Sequence, residues 1–113
     1  MNVTNDSKSG ALLVITSLPT MQSAEQLAGD IIKEKLAACV QCYPQVSSFY
    51  IWESQLCQDT EVLLHIKCLS TKLIELEHYI QQHHPYDVPQ FIALPINYGS
   101  TPYLDWMKTT TQL

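Results

Sequence analysis

The stretch His83-His84-Pro85-Tyr86-Asp87-Val88-Pro89-Gln90 concentrates the chemistry of this chain, because two adjacent imidazoles end a helical pattern and two prolines then force an extended segment. Tandem imidazoles offer two nitrogen donors that are uncharged at neutral pH, which suits borderline metals such as copper or zinc. A structural zinc site needs four ligands and a catalytic one three plus water, so further donors must come from elsewhere in the fold or from another subunit. No third or fourth ligand sits at a spacing that the zinc patterns require. The same pair also reads as solvated histidines at a helix C-terminus, where partial positive charge is favourable.

Two other features could carry chemistry. Cys39 and Cys42 form a C-x-x-C, the spacing of a redox pair or of half a zinc site. On a strand, however, residues three apart point to opposite faces about 10 Å from one another, which leaves two small strand residues as the simpler reading. Lys67 projects from a strand opposite an apolar face and reads either as a ligand contact or as a solvated lysine. Phosphate-loop, dinucleotide, zinc-protease and nucleophile-elbow motifs are all missing, and three glycines are too few for a glycine-built phosphate cradle. Serine, histidine and carboxylate are present, but nothing in their spacing groups them for nucleophilic catalysis.

The elements that must position these residues follow from periodicity. Residues 1–10 are polar and read as a flexible N-terminal segment, with residues 11–113 as a single domain. The run Ala11-Leu12-Leu13-Val14-Ile15-Thr16 reads as a central strand buried on both faces. Thr20 and Ser23 offer N-cap oxygens, Ser23 with Gln26 having capping-box form, for a helix whose stripe is Ala24, Leu27, Ala28, Ile31, Ile32 and Leu36. Residues 38–43 read as a second strand that Pro44 bends or ends. Residues 46–52 and 60–68 then form a long antiparallel hairpin around a polar interruption at 54–59, which predicts Trp52 near Glu61 across the ladder. A helix capped by Ser70 or Thr71 carries Leu73, Leu76 and Ile80 on one stripe, and the same angle places His84 near the stripe and His83 at its edge. A short strand at 91–96 and a terminal helix starting at Thr101-Pro102, with Tyr103, Trp106 and Met107, complete the chain. The order predicts an α+β fold, the ferredoxin-like βαββαβ sandwich with an added C-terminal helix.

Composition narrows the partners. A net charge of −5 with six lysines and no arginine excludes the bidentate phosphate forks typical of nucleic-acid binders. No run approaches a membrane span and the N-terminus lacks an apolar targeting core, so a cytoplasmic protein without a membrane partner is expected. Four cysteines are too sparse for a secreted disulfide scaffold. Oligomerisation would be a natural way for so short a chain to bury more surface.

With these residues in view, the chain resembles the CutA divalent-cation tolerance proteins. The matching words are Glu34-Lys35-Leu36-Ala37-Ala38-Cys39, Ser48-Phe49-Tyr50-Ile51-Trp52-Glu53, Glu61 and Lys67, His84-Pro85-Tyr86 with Pro89, and Gly99 with Tyr103-Leu104-Asp105-Trp106. The resemblance implies a homotrimer built by sheet-to-sheet contacts and similar to the PII signalling proteins, which bind small molecules between subunits. It also implies tolerance to copper and other divalent cations. The chain departs from that pattern in three places. Thr16 aligns with a cysteine of members discussed as copper binders, Pro89-Gln90 stands where many have Pro-Glu, and Lys67-Cys68 stands where Lys-Thr is usual.

Three functional readings follow. The first is a non-catalytic, trimeric protein that binds Cu(II) or a similar divalent cation through His83 and His84, with no metal required for folding. The second is a signalling-type module that binds a small anionic ligand in an inter-subunit cleft, with Trp52, Glu61, Lys67, His84, Tyr86, Tyr103 and Trp106 as candidates. The third is an interaction protein whose aromatics form the subunit interface; a hydrolytic enzyme ranks last.

Overall fold

The computed structural model describes residues 8–112. In chain order the elements are β1 (Ala11–Leu18), α1 (Met21–Lys33), β2 (Cys39–Trp52), β3 (Gln55–Leu69), α2 (Leu73–His83), β4 (Ile92–Ile96) and α3 (Thr101–Thr110). The four strands form one antiparallel sheet in the order β2-β3-β1-β4. This is the expected α+β arrangement with the third helix added. Residues 1–7 of the segment expected to be flexible lie outside the described residues. Its last two residues are tied down: the Ser9 hydroxyl donates to the Ile96 carbonyl, and Gly10 accepts from Ser70 N–H.

β1 is mostly apolar because β3 and β4 flank it and its helix-side face is fully buried; the expected burial on both faces holds only in part, Leu13 and Ile15 being half-buried on the other. One face carries Leu12, Val14, Thr16 and Leu18, which meet Val62, Leu64, Ile66 and Cys68 of β3 beneath the two helices. α1 starts at Thr20, whose side chain and backbone exchange bonds with Ser23, so the cap pair is Thr20/Ser23 instead of Ser23/Gln26. The helix buries Ala24, Leu27 and Ile31, while Ile32 is left exposed. α2 follows a single 3-10 turn, without a side-chain cap from Ser70 or Thr71, and buries Leu73, Leu76 and Ile80. Each fully buried leucine or isoleucine contributes about 1.5–3 kcal/mol, so this layer supplies most of the core. Among the described residues, the other face of the sheet is covered only at one end, where Met107 of α3 packs with Ala11 and Ala38. Beyond α3 it stays partly open, through Leu13, Ile15, Leu63 and His65, with the exposed Tyr43 ring against His65.

Pro44 bends the second strand and does not end it: the chain makes a bulge at Pro44-Gln45 and continues in register from Val46. An edge strand tolerates this, because the missing proline N–H faces away from the ladder. The reversal is a two-residue turn at Glu53-Ser54, both with positive φ, and not a loop over 54–59. Trp52 therefore pairs with Gln55, while Glu61 lies opposite Val46 at the base of the hairpin. Because β1 stops opposite Val62, the segment from Val46 to Glu61 stands beyond the rest of the sheet as a two-stranded arm.

Cys39 pairs with Lys67 and Cys42 with Leu64, so the two thiols sit on opposite faces of β2, and Cys42 packs against the helix-side core. Burial raises the Cys42 pKa, further reducing thiolate character. Among the described residues no helix is long and apolar enough to cross a membrane.

Candidate functional site

β4 pairs with β1 only from Ala11 to Ile15, so the Ser17 carbonyl lies past the last β4 partner. His84, which Pro85 holds out of helical geometry, fills that gap: its backbone is extended and its Nε2 sits 2.7 Å from the Ser17 oxygen. A carbonyl can only accept, so Nε2 carries the hydrogen. Nδ1 is then the acceptor, and the Tyr86 N–H donates to it at 3.1 Å. Both nitrogens of this buried ring are therefore engaged by backbone. Burial holds the imidazole below its ordinary pKa, against the raising influence of the Ser17 carbonyl and Glu61.

His83 is differently placed. It is exposed at the end of α2, stacks on Tyr79 with ring centroids 4.1 Å apart, and donates from Nδ1 to the Tyr79 carbonyl at 2.8 Å. The residue also lines a separate groove with Ser23, Gln26 and Asp30. The tandem imidazoles do not converge, so chelation by both would require His84 to surrender the Tyr86 N–H. Among the described residues no three His, Cys, Asp or Glu side chains group as metal ligands.

What does converge lies on the other side of Tyr86. Its hydroxyl donates to Glu61 Oε2 at 2.8 Å, and the Ser17 hydroxyl donates to the same oxygen at 3.2 Å. One step out along the arm, the Tyr50 hydroxyl donates to Asp59. That bond pushes the Tyr50 pKa up to about 12, and burial with the Glu61 bond raises that of Tyr86. These residues line a cleft of about 520 Å³ between the arm and the 86–90 segment, with Ser48, Phe49, Trp52, Asp87, Val88 and Gln90 completing its walls. Its charged side chains are Asp59, Glu61 and Asp87, all acidic.

The sequence-derived set thus divides. Trp52, Glu61 and Tyr86 meet in this cleft with His84 behind them, the His84 and Tyr86 ring centroids being 4.9 Å apart. Lys67, Tyr103 and Trp106 form a second group at the α3 end of the open sheet face, with the Lys67 Nζ 5.5 Å from the Tyr103 ring centre and Trp106 against Tyr103. Sequence reasoning missed Ser17, Tyr50, Asp59 and Asp87 as cleft residues. Strand alternation from a Glu53-Ser54 turn would have placed Tyr50, Trp52, Asp59 and Glu61 on one face, but neither turn residue is the glycine or asparagine that marks such a turn. Gln90, the neutral departure, lies within the cleft.

Thr16 points away from the cleft. It is fully buried in the helix-side core, and its hydroxyl has no hydrogen-bond partner among the described residues. Leaving such a group unpaired costs about 1–3 kcal/mol, so Thr16→Val, which keeps the shape and removes the hydroxyl, is expected to stabilise the protein by about 1 kcal/mol. Urea unfolding at fixed protein concentration reads this as a higher midpoint with unchanged slope; a lower midpoint would show that the hydroxyl is satisfied.

The model of the family described as CutA1 divalent ion tolerance protein matches residues 12–110. The rice protein "Protein CutA 1, chloroplastic" is 42% identical over 102 residues, covering 90% of this chain but 58% of its own length, so the chain spans less than two thirds of that relative. "Divalent-cation tolerance protein CutA" of Yersinia pestis (strain Pestoides F) is 40% identical over 104 residues, covering 92% of this chain and 87% of the relative. The solved structure "Periplasmic divalent cation tolerance protein CutA from Archaeoglobus fulgidus" superposes with a TM-score of 0.88 at 31% identity, over 90% of this chain and 99% of that one. Those names place relatives in the chloroplast and the periplasm, so the expected cytoplasmic location is not inherited from them.

Proposed function

Because the chain belongs to the CutA1 divalent ion tolerance protein family, we propose that it works as a homotrimeric divalent-cation tolerance protein that takes Cu(II) or a similar ion weakly in the cleft at Glu61. The observation that carries this reading is the one-signed charge of the cleft: Asp59, Glu61 and Asp87 line it and no lysine does. A hard or borderline cation gains from such carboxylates, whereas an anion would be repelled. Water or a second copy would supply the remaining ligands, which fits weak binding.

The tandem histidines offer a second route to Cu(II), carried by the exposed His83, whose Nδ1 is taken by the Tyr79 carbonyl so that Nε2 would be the donor. A small anionic ligand remains the reading for a cleft shared between copies. Glu61, Leu63, His65 and Lys67 run along one face of β3, so an acidic end and a basic end are available for a neighbouring chain to complement.

Calorimetric titration of the parent and two variants with Cu(II) separates these possibilities. Glu61→Gln is expected to weaken binding by about tenfold or more, and His83→Ala to leave it unchanged. If His83→Ala removes binding while Glu61→Gln does not, the metal belongs to the histidine and the cleft reading falls.

A further inference from the structure

A hydrated metal ion would use the carboxylates of the cleft and leave its aromatic walls idle. Those walls are substantial. Strand alternation sets Tyr50 and Trp52 on the same side of the arm as Asp59 and Glu61, and Tyr86 with Val88 stands opposite them across the cleft. Trp52 is 58% exposed and Tyr50 40%, so both present ring surface to whatever enters.

The hydrogen bonds fix what these rings offer. Tyr50 donates its hydroxyl hydrogen to Asp59 and Tyr86 donates its own to Glu61, so both phenols line the cleft with their O–H hydrogens already engaged. Both bonds to Glu61 land on Oε2, leaving Oε1 for another donor. Ring faces carry the negative lobe of the aromatic quadrupole and attract cations. Carboxylates and π faces together favour a positive head, while the apolar surface of Trp52 and Val88 favours a hydrocarbon body. A volume near 520 Å³ lies in the range of small-molecule pockets.

We propose that this cleft is a binding site for a small organic ammonium ion with an apolar body, its nitrogen at Glu61 and Asp59 and its body against Trp52, Tyr50 and Tyr86. This deepens the reading of the cleft as cation-selective and rests on it, while naming a ligand class that a metal site does not imply.

Phenethylammonium is a suitable probe, with 2-phenylethanol and phenylacetate as its neutral and anionic counterparts. Calorimetry on the assembled full-length protein is expected to show saturable binding of the amine, at least tenfold weaker binding of the alcohol and no binding of the acid. Glu61→Gln is expected to weaken the amine at least tenfold, and Asp59→Asn, on the exposed arm where folding is not at stake, to weaken it severalfold. Equal binding of amine and alcohol would overturn the proposal, as would an amine affinity unchanged in both variants. A parallel Cu(II) titration keeps the two claims apart. Metal binding without amine binding overturns this proposal and leaves the metal reading standing. Amine binding without metal binding supports this proposal and removes the metal reading, and binding of neither overturns both.

Discussion

Replacing His84 by alanine is expected to destabilise the folded chain by about 3–5 kcal/mol, although its place in a tandem pair reads as that of a metal ligand. The ring donates to the Ser17 carbonyl and accepts from the Tyr86 N–H, and its removal strands both backbone groups in a buried corner. The contact with the Tyr86 ring goes too, which loosens the hydroxyl that reaches Glu61. His83→Ala is the internal control. That ring is exposed and bonds only within its own helix, so its loss should stay within about 0.5 kcal/mol. Urea midpoints at one protein concentration measure both, and a His84→Ala loss below about 1 kcal/mol would show that the ring is not what ties the 84–90 segment to β1.

Acid gives a second readout of the same residue. Burial keeps the folded His84 pKa below 6.5, so just under that pH the unfolded chain binds a proton that the folded chain does not. The contribution is fully present above pH 6.5 and is lost progressively as the pH falls toward the lowered folded value. A flatter stability profile in this window is expected for His84→Ala than for the parent.

The second large effect is expected at the arm. Phe49 and Ile51 share one of its faces with Leu56, opposite the side that carries Tyr50 and Trp52, and their exposures are 70%, 66% and 75%. So much apolar surface on a two-stranded projection marks an interface. The proposed trimer would cover it. At about 25 cal/mol per Å², burying these three side chains stabilises the assembly by on the order of 5 kcal/mol per arm. The triple change Phe49→Ser, Ile51→Ser, Leu56→Ser should therefore drop the mass by light scattering from three chains to one at micromolar concentration. Far-ultraviolet circular dichroism should persist, because the core beneath α1 and α2 contains none of the three. A variant that still runs as three chains would place the assembly contacts elsewhere, and a parent that runs as one chain would remove the trimer itself.

The helices were legible because their signals are local. Leu73, Leu76 and Ile80 recur at helical spacing, and the periodicity that marks them as a stripe also buries them. The apolar run of β1 was legible for the same reason, one face being fully buried and both edges paired. The arm was less so. Gln55, Gln58 and Asp59 read as a polar loop because an arm standing clear of the core has no buried face to impose alternation. The length and register of the hairpin depend instead on two left-handed residues, Glu53 and Ser54, whose types do not announce that conformation.

By itself the sequence determined the order and type of the elements, the helix-side core and the corner where chemistry gathers, because periodicity, caps and prolines act within a few residues. Only the tertiary structure decided what the residues of that corner do. Ser17 and Glu61 meet Tyr86 across separations of 69 and 25 residues, through a strand end, a hairpin base and a loop, and no local pattern encodes that meeting. The division of the tandem histidines is likewise tertiary. His84 turns inward because β4 ends too soon to satisfy the Ser17 carbonyl, while His83, one residue earlier, still belongs to a helix and faces solvent.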